Sequence, residues 1–322
     1  MLVNILEVVG GLLLLVWGAN RFVCGAAAFA RNLGVAPILI GLTIVAIATS
    51  APEILVSAVA SLRGEPGLAI GNAIGSNIVN IGLVLGTVAF IRPIKLSSQT
   101  LRREMPALLA VTLLGVSLFL DSYLSRLDGM ILIAALVFVI FWLVKLGLRS
   151  SADDTISLEY EADIPRNVST KRAITWFVIG FIVLLVGAEL MVNGAIDIAR
   201  YLGMSEVVIG IVLVAFATSV PELAVSLVSA HKGEYGLAIG NIVGSNFFNI
   251  LAVVGAASLI APAALPPSVL SVHLFVMVAF TLVLFTMTYE YEGTGGTISR
   301  VEGAALLVAY IAYDSYVIMQ NL

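Results

Sequence analysis

Two short motifs each place a carboxylate within otherwise apolar sequence. Residues 49–54 have the sequence Thr-Ser-Ala-Pro-Glu-Ile, and residues 218–223 have the sequence Thr-Ser-Val-Pro-Glu-Leu. A charged side chain in a lipid-embedded segment is costly and usually serves a function, so Glu53 and Glu222 are candidate site residues. One copy alone would also fit a packing kink with a structurally paired glutamate. The recurrence of the whole motif favours a functional site.

A second polar motif follows each copy of the first. Residues 71–80 have the sequence Gly-Asn-Ala-Ile-Gly-Ser-Asn-Ile-Val-Asn, and residues 240–249 have the sequence Gly-Asn-Ile-Val-Gly-Ser-Asn-Phe-Phe-Asn. The offset between copies is 169 residues, from position 53 to 222 and from position 80 to 249. This constant offset indicates an internal repeat, in which each half supplies one copy of both motifs. The glycines of the second motif permit a helix break or close helix packing.

The two motifs are rich in oxygen atoms that could bind a cation. Proline has no N–H, so Pro52 and Pro221 each leave the carbonyl four residues earlier without its helical donor and loosen the threonine carbonyl beside it. The glutamate, the hydroxyl side chains and the free carbonyls then share one helical face. The candidate ligands are Thr49, Ser50, Glu53, Ser76 and Asn80 in the first half, and Thr218, Ser219, Glu222, Ser245 and Asn249 in the second.

The ligand types narrow the choice of ion. Histidine and cysteine are missing from both motifs, which argues against zinc, copper and iron and favours a hard cation such as Na⁺, Ca²⁺ or Mg²⁺. Two carboxylates supply two negative charges, which one Ca²⁺, two Na⁺ or two protons would neutralise. A site with this balance can exchange unlike ions in alternation. The two glutamates could instead form the acid/base pair of an intramembrane hydrolase, but the sequence offers no arrangement of a nucleophile with its base, so an enzyme is not expected.

The composition is that of an integral membrane protein. Of the 322 residues, 60% are hydrophobic and 11% are charged, and the mean hydropathy is +1.10, whereas soluble domains carry about 25% charged residues. The net charge of −4, without a dense basic cluster, predicts no nucleic-acid partner. Cys24 is the only cysteine, so no intrachain disulfide can form. The apolar N-terminal segment lacks a basic region before it, so it is expected to be the first membrane helix and not a signal peptide.

The hydrophobic segments predict an all-α membrane fold with ten spanning helices, since a span needs about 20 mostly apolar residues. The most charged stretch lies between the fifth and the sixth span. We therefore expect a first five-helix repeat over residues 1–148, an acidic hinge loop over 149–172 and a second five-helix repeat over 173–322. The predicted spans are 3–30, 36–61, 68–90, 104–120, 128–147, 173–199, 205–230, 237–260, 268–288 and 301–319.

The number of helices in each repeat fixes the relation between the halves. With five helices per repeat, the second copy enters the membrane from the opposite side, which gives an inverted-topology pair. Lysine and arginine are enriched in cytoplasmic loops, and with the N-terminus outside, twelve of them lie in inner loops against three in outer loops. We therefore expect both termini outside the cell (plasma or inner) membrane and the hinge loop inside. The inner residues are Arg31, Arg92, Lys95, Arg102, Arg103, Lys145, Arg149, Arg166, Lys171, Arg172, Lys232 and Arg300, and the outer ones are Arg63, Arg126 and Arg200.

The two pairs of motifs resemble the alpha-repeats of the sodium/calcium exchanger family, within the cation/calcium antiporter superfamily. The patterns G-[ST]-S-x-P-E and G-N-x-x-G-S-N both recur at the right separation, except that Ala48 and Ala217 occupy the usual glycine of the first pattern. The resemblance covers the whole chain, in the prokaryotic ten-helix form. It implies a secondary antiporter that exchanges Ca²⁺ for Na⁺ by alternating access at a midplane site between the repeats, without a cofactor.

The resemblance also implies a role for each matching residue. Glu53 and Glu222 would be the acidic ligands of Ca²⁺, with the carbonyls of the two threonines as backbone ligands. The flanking sodium sites would use Ser50, Ser219, Ser76 and Ser245, and the middle of the site would be completed by Asn80 and Asn249. Some prokaryotic exchangers and the potassium-dependent branch carry aspartate at position 249. Asparagine there weakens a potassium-dependent interpretation and leaves Na⁺/Ca²⁺ and H⁺/Ca²⁺ exchange both open.

A cation channel is a further interpretation of the same oxygen-rich segments. Channels usually build their pores from several subunits or from rings of carbonyls, whereas this chain carries an internal inverted repeat. Transport that saturates and needs an ion on the opposite side would distinguish an antiporter from a channel. The expected partners are the transported ions Ca²⁺ and Na⁺ (or H⁺) and membrane lipid, and no obligatory protein partner is indicated.

Overall fold

Long apolar helices dominate the computed structural model, which describes residues 2–34, 37–64, 66–95, 98–150, 168–201, 215–265, 269–288 and 296–320. Within these ranges, seven helices are long and apolar enough to cross a membrane, or eight if one bent pair counts as a single span. Described helices lie in all ten predicted spans. The start of the seventh span, 205–214, and most of the predicted hinge loop, 151–167, lie outside the described residues.

The helices of the first half follow the predicted spans closely, and the second span is broken into two pieces. Helix α2 consists of the consecutive segments Pro37–Ile40, Gly41–Val45 and Ala46–Thr49, and α3 follows at Ala51–Leu62. The remaining helices are α1 at Leu2–Leu33, α4 at Pro66–Ile91, α5 at Ser98–Phe119 and α6 at Arg126–Ser150.

The second half repeats this order. It begins with α7 at Thr170–Tyr201, a helix as long as α1. The described part of the seventh span is also interrupted at the first motif, between α8 at Ala215–Thr218 and α9 at Val220–His231. The last three helices are α10 at Tyr235–Ile260, α11 at Val269–Thr288 and α12 at Arg300–Gln320.

Two short antiparallel ribbons join the halves. Strand β1 (Ile94–Lys95) pairs with β4 (Thr297–Ile298), with Ile94 opposite Ile298. Strand β2 (Tyr123–Leu124) pairs with β3 (Ala263–Ala264), with Leu124 opposite Ala263. Each ribbon takes one strand from each half, so the loops of the two repeats are tied together by backbone hydrogen bonds.

The helices that carry the second motif form the centre of the bundle. In an apolar stretch of 18 residues from each long span, all residues are buried in α10 and 72% are buried in α4. The corresponding share is 11–33% in the other long spans. The outer helices therefore present apolar side chains to lipid, as expected for a membrane protein, while α4 and α10 are enclosed by protein. This arrangement holds the polar second motif away from lipid, where its amides and hydroxyls would be costly.

The two longest helices, α1 and α7, pack directly against each other through glycines. A β-carbon at Gly180 would lie 2.3 Å from the backbone nitrogen of Phe22, and one at Gly25 would lie 2.4 Å from the backbone nitrogen of Phe177. Both distances are far shorter than any β-carbon contact tolerates, so only glycine lets the two backbones approach this closely. The pair therefore packs with backbone against backbone along its length.

We expect Gly180→Ala to destabilise the protein by roughly 1–3 kcal/mol, the usual cost of overpacking a tight contact. The added methyl group would collide with the backbone of α1, which cannot rotate away as a side chain could. Thermal unfolding of the purified protein in detergent measures the effect. Gly10→Ala is the matched control, because its β-carbon would meet only Leu190 Cδ2, at 4.0 Å. Equal stability of the two variants would contradict the close backbone packing.

Candidate ion site

The second span bends at the first motif, where its proline predicts it. The axes of α2 and α3 differ by 51°, and Ser50 at the junction has φ −81° and ψ 5°. Pro52 stands in the first turn of α3, where its missing N–H costs nothing. Ser219 has almost the same conformation, φ −91° and ψ 2°, at the start of α9. The backbone conformation at the first motif is thus nearly the same in both halves.

Both glutamates are buried, and each is contacted by hydroxyl groups of the other half. Glu222 is 1% exposed, and its Oε1 accepts hydrogen bonds from Ser50 Oγ at 3.1 Å and from Ser245 Oγ at 3.3 Å. Glu53 is also 1% exposed, and the Thr218 side chain hydrogen-bonds its carboxylate. The two carboxylates are close enough to repel each other. The structure therefore brings the two copies of the first motif into one polar centre.

A pair of asparagines holds the backbone beside the glutamates. Asn72 Nδ2 donates to Ser57 Oγ at 3.1 Å and to the Glu53 carbonyl at 3.5 Å. Asn241 makes the equivalent contacts in the second half, at 3.0 Å to Ser226 Oγ and 3.3 Å to the Glu222 carbonyl. Sequence reasoning did not single out these four residues. The signal was available, because all of them recur at the repeat offset of 169 residues.

One hydrogen bond of these asparagines connects the two halves. Thr49 Oγ1 donates to Asn241 Oδ1 at 2.9 Å, so the second motif of one half positions the first motif of the other. Since Asn241 also holds the Glu222 carbonyl, its carboxamide links both bends of the site. No local feature of the sequence predicts this contact, because the two residues lie 192 positions apart.

The asparagines at the end of the second motif each begin a segment of π-helix. These segments are Asn80–Leu85 and Asn249–Val254. A π-helical segment within an α-helix frequently marks a functional site. Asn80 Nδ2 donates to Asn246 Oδ1 at 3.2 Å, whereas neither polar side-chain atom of Asn249 has a hydrogen-bond partner.

Several buried oxygen atoms of the site make no hydrogen bond. All ten residues proposed from the sequence are buried, with exposed fractions from 0% to 7%. Buried polar atoms are normally hydrogen-bonded, so a group of unpartnered oxygens in one region suits a bound cation. The unpartnered oxygens are Glu53 Oε2, Glu222 Oε2, Ser76 Oγ, Ser219 Oγ, Asn80 Oδ1 and Asn249 Oδ1.

The chemistry of the site matches hard cations. Among the described residues, no group of three or more histidine, cysteine, aspartate and glutamate side chains converges on one point. The charge of the site comes from Glu53 and Glu222, and its other donors are neutral hydroxyl and amide oxygens. Oxygen donors of this kind bind Ca²⁺ and Na⁺ and lack the nitrogen and sulfur that transition metals prefer.

Equivalent glycines of the two halves differ in their surroundings. Gly71 is exposed and Gly240 is buried. A β-carbon at Gly75 would meet no atom within 4 Å, whereas one at Gly244 would lie 2.6 Å from Ala46 Cβ. Among the described residues, the face of α4 that carries the motif therefore has no close neighbour at Gly75, whereas the same face of α10 packs against α2 at Gly244.

Comparison with known proteins agrees with this architecture. The sequence pattern described as "Sodium/calcium exchanger protein" matches residues 3–145 and 172–319. The chain is 46% identical to the putative antiporter CaxA of Alkalimonas amylolytica over 98% of both chains. It is 31% identical to the sodium/calcium exchanger MaX1 of Methanosarcina acetivorans over 97% of both chains.

A solved structure extends the comparison to the fold. The sodium-calcium exchanger NCX_Mj, soaked with Na⁺ and Sr²⁺, superposes with a TM-score of 0.83 at 37% identity, covering 97% of both chains. This agreement confirms the predicted all-α membrane fold with ten spanning helices in two inverted five-helix repeats. These relatives are transporters and not enzymes. The chain belongs to the sodium/calcium exchanger family, as a multi-pass membrane antiporter of the prokaryotic type.

Proposed function

We propose that the chain exchanges Ca²⁺ for Na⁺ by alternating access, with both ions using one site between its two halves. The observation that carries this proposal is the pair of buried glutamates. Each carboxylate is bound by a hydroxyl group of the opposite half and keeps one oxygen without a partner. Such a site can bind a cation only where the halves meet, so ion binding is coupled to their relative position.

The ligand roles follow from the donors that each residue offers. In this proposal Glu53 and Glu222 bind Ca²⁺ directly, together with the carbonyls of Thr49 and Thr218. The neutral oxygens of the second motif and of the bends bind Na⁺ or complete the coordination of Ca²⁺. They belong to Ser50, Ser76, Asn80, Ser219, Ser245 and Asn249, four of which keep an unpartnered side-chain oxygen.

The charge of the site supports exchange of unlike ions. With no cation bound, two buried carboxylates repel each other, and moving them through the membrane interior unpaired would be costly. One Ca²⁺ or two Na⁺ would neutralise them equally well. The site can therefore switch its access from one side of the membrane to the other when either ion is bound, but not when it is empty. This is the condition for obligatory exchange.

The unequal surroundings of the two second motifs support alternating access. Gly71 of α4 is exposed, and among the described residues no atom lies within 4 Å of a β-carbon at Gly75, whereas the equivalent Gly240 and Gly244 of α10 are packed. Because the repeats are inverted, equivalent faces lead toward opposite sides of the membrane. One conformation open along α4 and another open along α10 would give the site access to each side in turn.

Uptake of ⁴⁵Ca²⁺ into proteoliposomes tests the proposal and its counter-ion. An outward Na⁺ gradient and a pH gradient are imposed in separate experiments. We expect uptake that saturates with Ca²⁺, requires Na⁺ inside the vesicle and is indifferent to a pH gradient alone. Uptake driven by the pH gradient in the absence of Na⁺ would instead assign H⁺/Ca²⁺ exchange. Uptake without any ion on the opposite side would indicate a channel and overturn the proposal.

We expect Asn80→Ala and Asn249→Ala to retain Ca²⁺ binding and to lose tight coupling to the counter-ion. Each variant removes a neutral oxygen and leaves both charges in place, so Ca²⁺ affinity should fall by about tenfold or less. Isothermal titration measures Ca²⁺ binding, and paired ²²Na⁺ and ⁴⁵Ca²⁺ fluxes measure the exchange ratio. Asn32→Ala is the control, because this amide binds the Val168 carbonyl away from the site. If both variants bound and exchanged normally, α4 and α10 would not supply amide ligands.

We also propose the topology with both termini outside, a first repeat over 1–148, a cytoplasmic loop over 149–172 and a second repeat over 173–322. The turns at Gly64 and Gly233 offer a matched test, since both glycines have φ +80° at equivalent positions. In a Cys24→Ala background, a membrane-impermeant maleimide should label Arg63→Cys from outside and spare Lys232→Cys. After lysis of the cells, the maleimide should label both cysteines. Equal labelling of the two sites in intact cells would contradict the inverted arrangement.

A further inference from the structure

Two arginines lie over the same tryptophan on the α1–α7 pair. The guanidinium carbon of Arg172 is 4.7 Å from the centroid of the Trp176 ring, and that of Arg21 is 5.3 Å from it. Arg21 also lies 5.5 Å from the Trp17 ring. All three distances fall within the range of cation–π interactions, about 6 Å. We call these four residues the arginine–tryptophan cluster.

The cluster has two positive charges and no protein anion among the described residues. Within the described ranges neither guanidinium contacts a carboxylate, and both interact with the tryptophan rings. Arg21 lies well inside the spanning helix α1, where a charge normally has a partner. Two like charges over one ring repel each other, so an anion between them would stabilise the cluster.

The surroundings of the cluster are those of a lipid headgroup. Arg172 lies in the first turn of α7, at the end of that helix which follows the predicted hinge loop in the chain. Trp17 is 45% exposed, and Arg172 is also exposed. Tryptophan is enriched where the hydrocarbon meets the headgroups, and arginine side chains extend toward that level from deeper positions. Arg172 therefore lies at the end of its spanning helix, where lipid phosphates are found, and the Arg21 side chain can extend toward it from deeper in α1.

We propose that the arginine–tryptophan cluster binds the headgroup of an anionic phospholipid. The planar guanidinium group pairs with phosphate through two parallel hydrogen bonds, which a lysine cannot reproduce. The guanidinium carbons of Arg172 and Arg21 lie 4.7 and 5.3 Å from one ring centroid, so they are at most 10 Å apart and one lipid headgroup can reach both. A headgroup with net negative charge neutralises the pair, whereas a zwitterionic headgroup brings its own cation next to the two arginines.

This site is distinct from the exposed lysine on α6. Lys145 Nζ lies 5.9 Å from the Phe141 ring, so it is also a cation beside an aromatic side chain. It has one charge and one ring, and both residues are exposed. It provides a control for non-specific attraction of anionic lipid to a basic surface.

Native mass spectrometry of the full-length protein in detergent tests the proposal. Delipidated protein is titrated with phosphatidylglycerol, with phosphatidylcholine and, separately, with inorganic phosphate. We expect one phosphatidylglycerol molecule to bind in preference to phosphatidylcholine. Arg21→Gln and Arg172→Gln should each weaken its binding by roughly fivefold, the effect of one basic residue near a lipid surface. Lys145→Gln should bind as the unchanged protein does.

Conservative variants keep the test independent of folding. Arg21→Lys and Arg172→Lys retain the charge and should bind the lipid more weakly than arginine but more tightly than glutamine. Equal affinity for the two lipids, or equal loss in the Lys145→Gln control, would overturn the proposal. So would binding of inorganic phosphate as tight as that of phosphatidylglycerol, since the site would then recognise a free anion. None of these readouts depends on ion transport.

Discussion

Replacing either Glu53 or Glu222 with glutamine should abolish Ca²⁺ transport and leave folded protein in the membrane. Each substitution removes one of the two negative charges that a divalent cation requires, at a site that is 1% exposed. Loss of one partner of a buried charge interaction costs roughly 3–5 kcal/mol, which corresponds to a loss of at least about a hundredfold in affinity. Glutamine keeps the shape of the side chain and relieves the repulsion between the carboxylates, so the fold should persist.

Initial rates of ⁴⁵Ca²⁺ uptake, normalised to the amount of reconstituted protein, measure this effect. Size-exclusion chromatography and thermal unfolding in detergent establish that the variants are folded. Glu189→Gln is the matched control, since this carboxylate lies on α7 and is exposed. Uptake at the unchanged rate by either glutamine variant at the site would rule out the paired-carboxylate mechanism. If Glu189→Gln lost uptake to the same extent, the effect would come from removing any carboxylate on a membrane helix and not from the ion site.

The positions of the helices and bends could be predicted because each has a local cause. Apolar length marks the spans, and the proline of the first motif marks the bend that the structure places at Ser50. The repeat offset predicted that Glu53 and Glu222 occupy equivalent positions. Burial of all ten proposed residues then follows from the cost of leaving such groups in lipid.

The contacts between the halves could not be predicted, because they depend on how two distant helices pack. Thr49 reaches Asn241 through the close approach of α2 to α10. The π-helical turns at Asn80 and Asn249 likewise have no signature in their own side chains. They arise where a helix accommodates an extra residue, which only its surroundings determine.

The difference between the two second motifs has another origin. Gly71-Asn72 and Gly240-Asn241 are identical dipeptides, yet Gly71 is exposed and Gly240 is buried. Local sequence therefore does not decide the exposure of these glycines. The difference depends on what packs on each helix: α10 contacts α2 at Gly244, and residues 205–214, the counterpart of the start of α2 in the second half, lie outside the described residues.

Linking α1 to α2 should stop exchange while the site still binds ions from one side. An apolar pocket of about 300 Å³ lies between α1, α7 and α2, with Ala26, Ile44 and Val178 among its lining residues. Such a pocket leaves room for the long helices to slide along the core in a shear motion. In a Cys24→Ala background, Ala26→Cys and Ile44→Cys can be joined by a reducible bifunctional linker. Exchange should fall to background and return when the linker is reduced.

A link within the α1–α7 pair should have no such effect, and this difference distinguishes sliding from general damage. The two backbones interlock at Gly25 and Gly180, so we expect α1 and α7 to move together as one unit. A linker between Gly10→Cys and Leu190→Cys, where a β-carbon at position 10 would lie 4.0 Å from Leu190 Cδ2, joins parts that do not move apart. Exchange at the normal rate with the α1–α2 link at full occupancy would exclude sliding of these helices. Loss of exchange with the α1–α7 link alone would show instead that the two helices must move relative to each other.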